Sequence, residues 1–340
     1  MKKWLLILGL VFGLALLIVP GLIGAWLPGQ IQRTLEQRWP DATPVIERGW
    51  WSTSVTAQSS TSRLQLSLTH LPWWRGQWFS GQGRWRLTEP AAEIDLNGQL
   101  TFSGSVHLDA VAPQLRWNSV EDNRIESLTL ALAVDRGLAT QLHVTAQRLV
   151  FSDALGNRMV LDDGQLSSAW QRTSEQQRDW TVVLTARRPY QASSAIRLHA
   201  AKLDAQGVAN AAVSIGELTR AAPNSLQAQM AGLGVLSAWQ ELVQGGLVLT
   251  IQEVALDQLI AFQGRWQPGI PALEMTGGGP IELALDWMTP MIGLNQALPP
   301  ELARAQAWSL LTQGTDQGLL MLADEQFEWT LGPMTGESSP

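Results

Sequence analysis

Apolar and polar residues alternate through most of this chain. From Ile94 to Leu108 every even position is apolar or glycine, and every odd position, from Asp95 to His107, is polar. A period of two places all the apolar side chains on one face of an extended strand. Asn97-Gly98 has the composition of a two-residue hairpin turn. That turn would set Leu96 against Gln99 and Asp95 against Leu100, so the pattern instead predicts one long strand bent at Gly98 or Gly104. Leu64, Leu66 and Leu68 alternate in the same way with Gln65, Ser67 and Thr69. A three-residue loop at Asp135-Arg136-Gly137 pairs Val134 with Leu138, Leu130 with Leu142 and Leu128 with Val144, with glycine at the left-handed position. Asp163-Gly164 predicts a second hairpin, pairing Leu161 with Leu166. Strands follow at Trp180–Ala186 and Ile196–Ala200. No helix-length pattern interrupts Arg48 to Arg220, so this stretch reads as an antiparallel meander that closes, stacks on itself or curls into a trough.

The period is different at the two ends. Lys2 and Lys3 are followed by 24 residues without a charge, ending at Leu27. As a helix they would be about 36 Å long, enough to cross a hydrocarbon core of about 30 Å. Lys2 and Lys3 orient the start toward the cytoplasm, and Trp4 and Trp26 stand where indoles prefer the headgroup level. A cleaved signal ending near Ile23-Gly24-Ala25 is the rival reading, although the apolar run exceeds the roughly 7–15 residues of a signal core. A buried soluble helix is a third. The first two export the bulk of the chain. Ile31, Leu35 and Trp39 predict a short amphipathic helix over Gln30–Trp39 that Pro40 stops.

Beyond the break at Ala221–Ser225, Val235, Leu236, Trp239, Leu242 and Val243 share a helical face closed by Gly245-Gly246. A short helix is expected over Val254–Phe262 and a strand over Ile281–Trp287. A helix opens at Pro299-Pro300-Glu301 and runs to about Gln313. A terminal hairpin follows over Gly318–Leu322 and Phe327–Leu331. The fold class expected is mainly β with a few helices: an N-terminal transmembrane helix, a long antiparallel β-meander (trough or sandwich) and a C-terminal α+β portion. The expected divisions are an anchor over 1–27, a juxtamembrane helix and linker over 28–46, a β domain over 47–220, the α+β portion over 221–335 and a disordered tail over 336–340.

Composition narrows the chemistry. The chain has no cysteine, which excludes a disulfide scaffold, zinc-thiolate sites and a cysteine nucleophile. A net charge of −7 leaves too little positive charge to grip phosphate backbones, so nucleic acid is not an expected partner. Seventeen tryptophans stand against one tyrosine. Nine of them precede residue 86, either as core aromatics or as a membrane-proximal surface whose indoles sit in the lipid interface or line an acyl-binding groove.

No catalytic motif is found. His70, His107, His143 and His199 lack a second ligand at metal spacing and read as solvated strand residues. There is no G-x-S-x-G and no P-loop, and Gly81-Gln82-Gly83 lacks a third glycine. Gly277-Gly278-Gly279-Pro280 reads as a flexible connection. Asp162-Asp163 and Glu121-Asp122 read as turn residues. No catalytic residue, cofactor or metal ligand is assigned, and the chain is not expected to be an enzyme.

Arg48-Gly49-Trp50-Trp51-Ser52-Thr53-Ser54 follows the apolar segment and the amphipathic helix. This order, with its R-G-aromatic-S element, resembles the YdgA-like family of membrane-anchored envelope proteins of unknown function. The helix and two strands over Glu301–Leu331 look like that family's ending, with Leu331-Gly332-Pro333 where the family tends to close with N-G. By general build the chain is also similar to the AsmA-like group, whose β-rich troughs are implicated in lipid handling, and to the N subunit of type II secretion systems. The resemblance implies an inner-membrane protein with a single pass and a periplasmic bulk. Its partners would be the bilayer together with a lipid ligand or another envelope protein. Lipid handling is the leading expectation, and a scaffold or assembly role is the alternative.

Overall fold

The computed structural model describes residues 27–33, 35–36, 39, 41–70, 76–88, 91–116, 122–135, 138–174, 176–218, 225–268 and 273–331. Lys2, Lys3, Trp4 and Trp26, and with them the expected anchor, lie outside these residues, as does the tail. No helix among the described residues is long and apolar enough to cross a membrane. Residues 27–33 and 35–36 are helical, and Trp39 N–H donates to Leu35 O at 2.7 Å, in keeping with the short helix expected there. The fold is mainly β, and all the strand pairs among the described residues are antiparallel. The chain forms two compact units, which divide between Val150 and Phe151.

The first unit is a meander in which each strand pairs with its neighbour in sequence. The strands are β1 (Thr43–Arg48), β2 (Ser52–Gln58), β3 (Ser62–His70), β4 (Gln77–Thr88), β5 (Ala91–Thr101), β6 (Ser105–Arg116), β7 (Arg124–Asp135) and β8 (Leu138–Ser152). The register builds continuous apolar rows. One runs from Ile46 through Val55, Leu66, Gly83, Leu96, Ala110 and Leu130 to Val144. Another joins Leu68, Gly81, Gly98, Leu108, Leu132 and Leu142. Where a glycine falls in a row the neighbouring leucine fills the space. A methyl group on Gly83 would come within 2.2 Å of Leu66 Cδ2, and one on Gly81 within 2.6 Å of Leu68 Cδ2. Thr53, Val55 and Ala57 on β2 are buried, whereas most of the leucines remain half-buried.

The long strand expected over Ile94–Leu108 is two strands. The chain turns at Phe102-Ser103-Gly104, where Gly104 has φ +86°, a left-handed value that glycine adopts without strain. No turn forms at Asn97-Gly98, as expected, and Gly98 lies inside β5 opposite Gly81 and Leu108. A three-residue loop preserves parity: Leu100 meets Val106, and Gly98 meets Leu108. The even-odd alternation therefore passes through the turn unbroken. The β7–β8 hairpin lies where expected but its register is displaced. Leu130 pairs with Val144 and Leu132 with Leu142, because a bulge follows Ala133 and the strands run to Asp135 and Leu138.

The second unit contains β9 (Arg158–Arg172), β10 (Gln177–Arg187), β11 (Ser193–Asp204), β12 (Val248–Leu256), β13 (Ile260–Trp266), β14 (Leu273–Pro280), β15 (Leu320–Ala323) and β16 (Gln326–Leu331). Their order in the sheet is β9-β10-β11-β12-β13-β14-β16-β15. Two helical hairpins are inserted. Helices α1 (Ala205–Leu218) and α2 (Leu226–Gln244) lie between β11 and β12, while α3 (Ile281–Gln296) and α4 (Pro300–Asp316) lie between β14 and β15. Helix α1 falls in the stretch expected to hold no helix. It is rich in alanine and glycine, whose small side chains make a buried helical face inconspicuous in sequence.

Four further expectations are corrected by the structure. Asp163-Gly164 is not a turn: β9 runs through it, with Asp163 at φ +52° and one extra residue opposite Thr185–Arg187, which makes a β-bulge. Val254–Phe262 is strand, turn and strand, and Gly277–Pro280 is part of β14. Ile281–Trp287 is the start of α3. There Ile281, Ala284 and Leu285 are buried, the i, i+3, i+4 set of a helix, and tertiary packing overrides the alternating pattern. The helix at Pro300 and the β15–β16 hairpin, with Asp324 and Glu325 both at positive φ, are found as expected.

Two apolar clusters form the core of this unit. Ile260, Ile281, Leu285, Ala307, Leu311 and Phe327 bury α3 and α4 against the sheet. Ala200, Leu203, Leu242 and Leu247 bury the base of the α1–α2 hairpin. Burying the leucine, isoleucine and phenylalanine side chains among them stabilises by about 1.5–3 kcal/mol each. The turn before β9 is tied to the α3–α4 connection by Asn157, which is 3% exposed and donates through Nδ2 to Leu298 O at 2.7 Å and to Asp153 Oδ2 at 2.6 Å. Burial works against the charge on Asp153, but the donors from Asn157, Leu155 and Gly156 outweigh it and hold the carboxyl below its ordinary value.

A methyl group on Gly293 would come 2.1 Å from Asn157 Oδ1. Gly293→Ala is therefore expected to cost about 1–3 kcal/mol, the usual cost of overpacking, measured by urea denaturation with an unchanged m value. Since the folded-state pKa of Asp153 is depressed, its contribution is present above the unfolded value and lost as pH falls through the folded one. Carbon-detected NMR titration should place the Asp153 midpoint below 3.8.

Candidate functional site

The residues singled out from sequence do not come together as a reaction centre. Arg48, Gly49, Trp50, Trp51 and Ser52 form the tip of the β1–β2 hairpin. Gly49 N–H donates to Ser52 O at 2.8 Å, and a methyl group on Gly49 would approach that same oxygen to 2.8 Å. Trp50 and Trp51 are 57% and 41% exposed, which fits a surface role better than a core one. Of the histidines, His70 departs from expectation. It is fully buried, its Nε2 lies 2.9 Å from Thr53 Oγ1, and its ring meets Phe79 edge-on. His199 Nδ1 lies 3.3 Å from Thr181 Oγ1. Asp163 pairs with Arg187 at 2.7 Å, and Asp122 pairs with Arg124. Among the described residues no group of three histidine or acidic side chains could hold a metal.

Two of the concavities bear on binding. In the first unit a shallow one of about 780 Å³ lies over the polar side of the sheet, lined by residues such as Gln65, Gln82, Arg84, Asp95, Asn97 and Asp109. Arg84 pairs there with Asp95 and Glu93, both at 3.0 Å. The hydrogen bond to Asp95, followed by the attraction of both carboxylates, raises the Arg84 pKa. These groups are solvated and satisfy one another.

The second concavity is of a different kind. A cavity of about 510 Å³ opens between α3, α4 and the sheet of the second unit. Leu256, Ile260 and Phe262 come from β12 and β13, Trp287 and Met288 from α3, Leu310 and Leu311 from α4, and Leu320, Phe327 and Trp329 from β15 and β16. Gln313 and Gln317 are its polar side chains with freedom to hydrate, and both are exposed. Phe262 packs against Phe327 at 5.8 Å and meets Trp329 edge-on at 6.0 Å. Trp329 Nε1 is buried without a hydrogen-bond partner among the described residues. Both volume and lining suit an apolar ligand or the tail of an amphiphile.

One wall of this cavity is positioned by a buried ion pair. Asp257, in the β12–β13 turn at φ +49°, is 4% exposed. Its Oδ2 accepts from Arg188 at 2.5 Å and from Trp287 Nε1 at 3.1 Å, while Ser194 Oγ donates to Oδ1 at 3.3 Å. The Arg188 guanidinium also lies over the Trp287 ring, 4.9 Å from its centroid. The carboxylate thus fixes the indole that lines the cavity. No sequence pattern announced this constellation, because its four members are spread from residue 188 to residue 287. The chain matches no known family, no curated protein and no solved structure.

Asp257→Ala would leave the Arg188 charge without its buried partner, and should cost about 3–5 kcal/mol in chemical denaturation. Asp257→Asn, which keeps an acceptor for Trp287, should cost less.

Proposed function

We propose that this chain is a non-enzymatic protein of the cell envelope, held in the inner membrane by its N-terminal segment with its bulk in the periplasm, and that it binds acyl chains or lipid. The apolar cavity carries this reading. About 510 Å³ of space is lined almost wholly by hydrocarbon and aromatic surface, with amide side chains exposed nearby. Apolar burial is non-directional and suits a flexible tail better than a polar substrate. The half-buried leucine rows of the first unit add further apolar surface, since the two core clusters among the described residues both belong to the second unit. The YdgA-like order of segments read from sequence supports the membrane anchoring alone, and the AsmA-like build supports the lipid.

A scaffold or assembly role is the second reading. Strand β1 pairs only with β2 among the described residues, and Val45 on it is 58% exposed. An open edge of this kind can accept a strand from another envelope protein.

Purified protein should carry co-purifying lipid in native mass spectrometry. After delipidation it should take up a fluorescent fatty acid with a change in tryptophan emission. Ala284→Phe, which fills the cavity from α3, should reduce uptake while far-UV circular dichroism is unchanged. Absence of both lipid and uptake, with a specific cross-linked protein partner found in cells, would replace the lipid reading with the scaffold one.

A further inference from the structure

The α1–α2 hairpin is apolar on the side it does not use for packing. Its base is buried through Leu242 against Ala200, Leu203 and Leu247, with Val208 of α1 packed beside them. Ala231 and Ala238 complete the buried face of α2. On the opposite face Leu226, Met230 and Leu233 are 73%, 65% and 66% exposed, with Leu236 at 60% beside them. At the C-terminal end of α1, Ile215 and Leu218 are 50% and 41% exposed. Ser225 caps α2 by accepting from Ala228 N–H at 3.1 Å, so this apolar end is a formed helix start.

Charge is sparse on the hairpin, and α1 carries one exposed charged residue, Glu217, in its last turn. The single charged residue of α2, Glu241, lies at its base and accepts from Asn210 Nδ2 at 2.9 Å. A solvated helix normally carries charges on its outer face, whereas this one carries leucine, methionine and glutamine. An apolar face of this kind needs a cover. The chain itself indicates which one: the 26 residues preceding the described ones include the uncharged segment from Trp4, which is long enough to cross a bilayer. A bilayer that holds this segment is a hydrocarbon surface available to the rest of the same chain.

We infer that the exposed face of the α1–α2 hairpin inserts into the interface of the same bilayer, as a second membrane contact of the protein. This rests on the reading of the N-terminal segment as a membrane anchor. The hairpin is not a second span, since neither helix is long and apolar enough to cross. It resembles interfacial helices, whose apolar face sinks about 5–10 Å into the headgroup and acyl boundary.

The full chain contains no cysteine, so single labels are unambiguous. Met230→Cys, Leu233→Cys and, as a control in the exposed turn before β9, Ala154→Cys would each carry a nitroxide. The proteins would be reconstituted in phosphatidylethanolamine–phosphatidylglycerol vesicles, and label collisions with oxygen compared with those with a nickel chelate. The expected result is an oxygen-dominated environment at 230 and 233 and a nickel-dominated one at 154. Nickel-dominated collisions at all three sites, in protein that resists carbonate extraction, would overturn the hairpin contact and leave the anchor standing. Extraction of the protein by carbonate would overturn both. Spin–spin broadening at 230 and 233 would show that a second copy covers the face, and would overturn the lipid contact.

Discussion

Strand register is the constraint on which the first unit depends. With a side-chain period of two, a slip of one residue between any two strands would move a whole row of leucines to the opposite face. The row from Ile46 to Val144 crosses eight strands and stays in phase, although the pairs it crosses contain three bulges. Backbone hydrogen bonds hold each pair together, and the shared preference of leucine and valine for one face selects among the possible registers. Glycines at 81, 83 and 98 lie in those rows without weakening them, because neighbouring leucines close over the missing side chains at 81 and 83.

The second unit solves a different problem. Its sheet is covered in part by helices inserted between strands, and each hairpin buries one face while leaving something unfinished. The α3–α4 hairpin buries Ile281, Leu285 and Leu311 yet leaves an apolar cavity beside Trp287 and Phe327. The α1–α2 hairpin buries its base and presents leucines outward. The Asp257–Arg188 pair costs desolvation that a hydrophobic pair would avoid. In return it sets the orientation of Trp287, and so the shape of one cavity wall.

These features combine into one functional picture. An apolar cavity, half-exposed leucine rows and an outward apolar hairpin are all surfaces that water disfavours. In a protein free in solution they would be liabilities for aggregation. In one held at a bilayer they become places for hydrocarbon. The proposed lipid-binding role and the proposed second membrane contact both follow from that one physical preference, and they are separately testable because they involve different helices.

Sequence alone determined that the chain is mainly β and antiparallel, and in the first unit which positions share the apolar face, because period-two alternation records which side of a strand is buried however the strands are later arranged. It also located the α4 helix, whose proline at the first position is a local signal, and the β15–β16 hairpin. Tertiary structure alone decided the rest. Turns that preserve parity, as at Phe102–Gly104, leave no mark on the alternation. An Asp-Gly pair is equally at home in a turn and in a bulge, so only the partner strand settled its role at Asp163. Ile281–Trp287 alternates like a strand and is a helix because its neighbours bury Ala284 and Leu285 together. The cavity and its Asp257 clamp were invisible for the same reason: they join residues up to a hundred positions apart, and contact at that range is a property of packing.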